Sequence, residues 1–116
     1  MPTVTLTVPT GALDNSNHRT HWAVRARKQR ELRAAMRAAC HGATPLAGGV
    51  ALTITFRFPD SRHRDLDNLS MKGAIDGAVD AGLIADDRST ILRSVTRTRD
   101  DRPSPRGFVR LDFNFQ

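Results

Sequence analysis

Val50-Ala51-Leu52-Thr53-Ile54-Thr55-Phe56-Arg57-Phe58 carries apolar residues at every even position and small or polar ones between them. A period of two puts all five apolar side chains on one face, which predicts a half-buried β-strand ended by Pro59-Asp60. The stretch before it has a different period. From about Thr20 to Cys40 the chain lacks Gly and Pro and is rich in Ala and Arg. Trp22, Ala26, Gln29, Leu32, Met36 and Ala39 follow helical spacing, so an amphipathic helix is expected there. Cys40-His41-Gly42, with Pro45 beyond, supplies its stop.

After the strand, Asn68 or Ser70 can cap a second helix running to about Ala81, with Leu69, Ile75 and Val79 as its buried stripe and Gly82 as its stop. Three further strands flank this core. Val4, Leu6 and Val8 alternate with threonines up to Pro9. Thr90 to Thr98 reads as a third strand in chain order, and Val109, Leu111, Phe113 and Phe115 as a fourth. The Pro- and Gly-containing connection at 100–107 suggests an antiparallel return between these last two. Residues 11–17 are rich in Asp, Asn and Ser and read as loop. The expected fold is therefore α+β: one domain over residues 1–116, in the order β-α-β-α-β-β, with a mixed sheet packed against two helices. There is no internal repeat and no linker.

Size and composition agree with this. A chain of 116 residues with 39% apolar content can bury one core without staples. The single Cys40 cannot form an internal disulfide, no stretch approaches a membrane span, and no leader-like segment opens the chain, so a cytoplasmic protein is expected. The formal charge of +6 is unevenly spread: residues 15–58 carry a net +7, residues 59–89 a net −3 and residues 90–116 a net +3. Of 18 basic residues 16 are Arg, whose planar fork matches phosphate oxygens, although a GC-rich genome also favours Arg codons. Of 12 acids 11 are Asp, and seven of these lie between residues 60 and 87. A basic chain with one acidic island suits a polyanion binder with a carboxylate site embedded in it.

That island holds the candidate chemistry. In extended chain Asp65 and Asp67 point to the same side, and two converging carboxylates repel unless a proton or cation lies between them. If the second helix packs back against the strand, Asp86-Asp87 can join them. Mg²⁺ and Mn²⁺ take oxygen ligands of this kind. Alone, Asp-x-Asp before a helix also reads as a turn or cap, and Asp-Asp after Gly-Leu-Ile-Ala as a plain turn. The four His and one Cys lack the paired spacing of a zinc site.

Arg62, Arg64, Asp65, Asp67, Asn68, Lys72, Asp76, Gly82, Asp86 and Asp87 together resemble the RusA-like Holliday-junction resolvases, a family common in phage and prophage genomes. The strong match covers residues 62–91, about a quarter of the chain, and Asn15-Ser16-Asn17-His18-Arg19 echoes the family's Asn- and Arg-containing loop. Lys72 lies five residues after Asp67, where the best-known pattern has four. Asp76 and Asp87 are displaced by the same step, as one residue inserted near Leu69-Ser70 ahead of the helix would produce.

The resemblance implies a homodimer that hydrolyses phosphodiesters at four-way or otherwise branched DNA, serving recombination and repair. Asp65, Asp67 and Asp87 would hold Mg²⁺, with Mn²⁺ as a substitute, and Lys72 would neutralise charge on the phosphate or position water. A solvated Lys72 paired with Asp76 is the alternative. Asn17, Arg19, His21, Arg25, Lys28 and Arg64 are the candidate DNA contacts, and the first helix and the Arg-rich third strand would grip phosphates beside the site. Trp22 opens an apolar stripe and is expected in the core rather than on a base. No membrane and no small-molecule cofactor is expected. The rival reading is a non-catalytic, basic DNA-binding module of the same fold.

Overall fold

The computed structural model describes residues 3–6, 8, 13, 15, 21–63, 65–66 and 69–115. Six elements follow in chain order: β1 (Thr3–Leu6), α1 (Trp22–Ala39), β2 (Val50–Arg57), α2 (Lys72–Asp80), β3 (Leu92–Asp100) and β4 (Phe108–Phe115). The α+β class and the β-α-β-α-β-β order match the expectation from sequence. The sheet order is β1-β4-β2-β3; β2 runs parallel to β3, and β4 runs antiparallel to both β1 and β2.

The expected return between β3 and β4 therefore needs correction. β4 does reverse direction, but it pairs with β1 and β2 rather than with β3. Burial explains the choice. Val109, Leu111 and Phe113 of β4 are wholly buried, and such a strand gains most from the centre of the sheet. β3 carries arginines, serine and threonines and one exposed Val95, so it fits an edge, where charge also discourages further pairing. The connection passes the C-terminal end of β2, where Arg57 donates to the carbonyls of Arg102 and Pro103 and Ser104 N–H donates to Phe58 O.

Val50, Leu52, Ile54 and Phe56 of β2 are wholly buried, as the alternation predicts, and Phe58 continues the stripe beyond the strand. Leu32 and Met36 of α1 pack into the same core. The second helix departs from its expected stripe. Its buried residues are Gly73, Ala74, Gly77 and Ala78, while Ile75 and Val79 are only partly covered. The small residues let α1 approach closely. A Cβ on Gly73 would stand 2.6 Å from Gln29 O, and one on Gly77 would stand 2.5 Å from Arg33 O. Neither position has room for a side chain without moving backbone.

The cap of α2 is also supplied differently from the expectation. Met71 occupies the N-cap position and no side chain of that residue caps the helix. Gln29 of α1 does the work across the helix pair. Its Oε1 accepts the Gly73 N–H at 2.9 Å and its Nε2 donates to Ser70 Oγ at 2.7 Å. An otherwise unpaired donor of the first turn is thereby satisfied. Asn68, the other expected cap, lies outside the described residues. α1 ends as expected at Cys40, with Gly42 at φ +79° just beyond. Among the described residues no helix is long and apolar enough to cross a membrane.

Candidate functional site

The segment between β2 and α2, which carries Asp65, begins at the C-terminal end of β2 and is fastened by two arginines of β3. Arg97 Nη1 donates to Leu66 O at 3.0 Å and also to Leu69 O. Arg99 Nη1 donates to Arg62 O at 2.7 Å and Nη2 to Asp60 O at 2.9 Å, while its guanidinium lies 4.8 Å from the centre of the Phe58 ring. The register makes this possible. Arg97 and Arg99 pair with Ile54 and Phe56, so they stand on the core face of the sheet, at the edge where the loop passes.

The third strand expected at 90–98, which includes Arg97 but not Arg99, was expected to grip phosphates. The donors of both arginines are instead engaged by loop carbonyls, and they act as positioning residues for the Asp65 segment. Nothing in the sequence spacing marks them for this, because a guanidinium–carbonyl contact across the fold has no periodic signature.

The N-terminal loop meets the same segment through an isolated antiparallel bridge between Asn15 and Leu69. Asn15 belongs to the run that contains Asn17 and Arg19, and the bridge sets it beside the end of the Asp65 segment. Asn17 and Arg19 themselves, with Arg64 and Asp67, lie outside the described residues.

Lys72 is the first residue of α2, so residues 69–70 precede the helix, and Asp76 follows one turn later on it. Its Nζ stands 3.3 Å from Asp76 Oδ2 on an exposed surface. Asp65 is exposed. His21 caps α1, its Nδ1 accepting the Ala23 N–H at 3.2 Å. Arg25 and Lys28 are half-buried on α1, whereas Arg27, Arg30 and Arg37 are exposed. Arg33 forms a two-pronged pair with Asp80, at 2.5 and 2.8 Å, which raises the guanidinium's proton affinity and holds the Asp80 carboxyl below the usual range.

Asp86 and Asp87 lie elsewhere. They precede β3, whose first residue Leu92 pairs with Val50 at the start of β2. The Asp65 segment instead lies near Arg97 and Arg99, five to seven residues further along β3. At about 3.3 Å per residue, Leu92 and these two arginines are roughly 16–23 Å apart along the strand. The expectation that the second helix returns Asp87 to Asp65 gains no support from this register, in which Asp86-Asp87 lead into the end of β3 that pairs with the start of β2.

Asp86 also has its own structural task. Its Oδ1 accepts the backbone N–H groups of Asp87 and Arg88, and its Oδ2 pairs with the Arg88 guanidinium at 2.7 Å. The hydrogen bonds from Arg88, then those from Asp87, hold this carboxyl below its ordinary value. Asp87 is exposed. Among the described residues no three His, Cys, Asp or Glu side chains converge as a metal cluster. Asp65 is an exposed oxygen donor on this segment, and a hard cation often takes only one or two carboxylates from a protein.

The chain matches none of the known protein-family models and none of the curated proteins it was compared with.

Proposed function

We propose that the protein is a Mg²⁺-dependent, structure-selective endodeoxyribonuclease that hydrolyses phosphodiesters in Holliday junctions or other branched DNA, with Mn²⁺ able to substitute. The observation that carries this reading is the fastened loop. Two arginines spend their hydrogen bonds on fixing the backbone around Asp65, at the end of the sheet where the Asn15 segment also arrives. A surface turn with no task does not require such support, whereas a site that must hold a cation against a phosphate does.

Asp65 and Asp67 would hold the cation. Once bound, it would polarise the scissile phosphate and lower the pKa of an attacking water. Lys72 exchanges its pairing with Asp76 for the phosphate, where its charge offsets that of the substrate. Arg25, Lys28 and Arg64, with Asn17, Arg19 and His21 from the N-terminal side, bind the flanking backbone. In this reading Asp87 serves the site of a second copy in a homodimer, because it leads into the end of β3 away from Arg97 and Arg99.

Replacing Asp67 with Asn tests the assignment. Strand cutting is expected to disappear while binding of a four-way junction persists, because phosphate contacts do not need that carboxylate. Undiminished cutting would remove the site. Mixing the Asp65→Asn and Asp87→Asn variants tests the arrangement between copies. Each alone is expected to be inactive and the mixture to recover cutting. A mixture as inactive as its components would exclude Asp87 from acting across the dimer.

A further inference from the structure

The sequence places Trp22 in the core, but the structure leaves it 74% exposed. The apolar stripe of α1 outruns what it packs against. Gly73, at the start of α2, meets α1 at the level of Gln29, and Gly77 meets it at Arg33 and Met36. Trp22 lies seven residues before Gln29, about 10 Å along the axis at 1.5 Å per residue. α2 therefore does not extend beneath the first two turns of α1. Ala39, at the other end of the stripe, is exposed as well.

Leaving the largest apolar side chain of the protein in water is unfavourable unless something else covers it. Its surroundings indicate the chemistry of the cover. The His21 ring lies beside the indole, with centroids 5.6 Å apart and planes inclined by 32°. Arg25 follows one turn later, then Arg27, Lys28 and Arg30, and no acidic residue occurs between Asp14 and Glu31. An apolar protein surface would gain nothing from that concentration of positive charge. A nucleic acid strand matches both features, since its phosphates suit the cations and its bases offer flat faces for stacking.

We infer that Trp22 is a stacking platform for an unpaired nucleobase of single-stranded DNA, whose backbone runs along the basic residues of α1. The inference builds on the proposed DNA-cleaving function and adds to it the recognition of unpaired bases, such as those exposed at a branch. It assigns Trp22 a binding role and no part in the chemistry.

The composition supplies a direct probe. Trp22 is the only tryptophan and the chain has no tyrosine, so intrinsic emission excited in the indole band reports on this residue alone. The protein is titrated, in EDTA to suppress cutting, with a thymidine oligomer of about 12 nucleotides and with an abasic oligomer of equal length and charge. The thymidine oligomer is expected to quench the emission, and the abasic one to bind without quenching. By anisotropy of a labelled thymidine oligomer, Trp22→Ala is expected to bind about tenfold more weakly. Trp22→Phe should recover part of that loss, and both variants should keep the native melting temperature.

Absence of thymidine-oligomer binding, binding with unchanged emission, equal quenching by the abasic oligomer, or undiminished affinity in Trp22→Ala would overturn the inference. Its failure is separable from that of the nuclease reading. Quenching without cleavage of a four-way junction in Mg²⁺ leaves the platform standing and removes the nuclease, while cleavage without quenching does the reverse.

Discussion

The arginines of α1 and those of β3 share one chemistry and do opposite things. On β3, Arg97 and Arg99 face the core side of the sheet and satisfy four loop carbonyls between them. On α1, Arg27, Arg30 and Arg37 are exposed, and Arg27 makes a long contact with Glu31, at 3.9 Å. Arg33 is an exception on the helix, since it is tied to Asp80 of α2. The difference comes from the backbone beneath each residue. A loop passing an edge strand offers carbonyls that no ladder satisfies, and a guanidinium with five donors can bridge them. A helix surface offers none, so Arg27, Arg30 and Arg37 stay exposed.

The largest effect expected from breaking this contrast is at Arg97. Arg97→Ala leaves the carbonyls of Leu66 and Leu69 without their donor and should destabilise the protein by about 2 kcal/mol. Chemical denaturation should show a lower midpoint, and cutting should fall further than DNA binding, because the Asp65 segment loses its anchor. An unchanged midpoint would mean that the loop holds itself and that Arg97 belongs with the exposed arginines.

Asp80→Asn probes the exception. The Arg33 guanidinium holds the Asp80 carboxyl below its ordinary value, so the pair stabilises the fold above the unfolded carboxylate value of about 4. That contribution is lost as the pH falls through the lowered folded value. The native protein should thus exceed the variant in stability at neutral pH, and the gap should close in acid. A gap that persists at low pH would show that the variant acts through packing rather than through charge.

The smallest effect on stability is expected from Lys28→Gln, which keeps most of the stem and removes the charge. Its stability should change by less than about 0.5 kcal/mol. Its DNA affinity should fall, with the salt dependence of binding shallower by about one counterion. An unaltered salt slope would remove Lys28 from the phosphate contacts.

The same contrast explains how far the sequence could be read. The alternation at 50–58 and the helical period at 20–40 are local patterns, and both elements formed close to where those patterns put them. The position of β4 depends on competition between strands for the centre of the sheet, which no single segment records. Gly73 and Gly77 are a packing device visible only once α1 lies against them. At the candidate site, the carboxylates and Lys72 stood out as a motif. Their distances did not, because where Asp86-Asp87 fall along the sheet depends on how β2 pairs with β3. Arg97 and Arg99 were legible only as charge, and Trp22 only as part of a stripe whose end is not marked in the sequence.

The central claim is that the loop held by Arg97 and Arg99 cuts DNA with the help of a divalent cation. It is tested most directly by incubating the purified native protein with a labelled four-way junction, with Mg²⁺ and with EDTA, beside an active control nuclease. The account predicts paired nicks near the branch point with Mg²⁺ and intact strands in EDTA. Intact strands with Mg²⁺ and with Mn²⁺, on a junction that the control enzyme cuts, would contradict it.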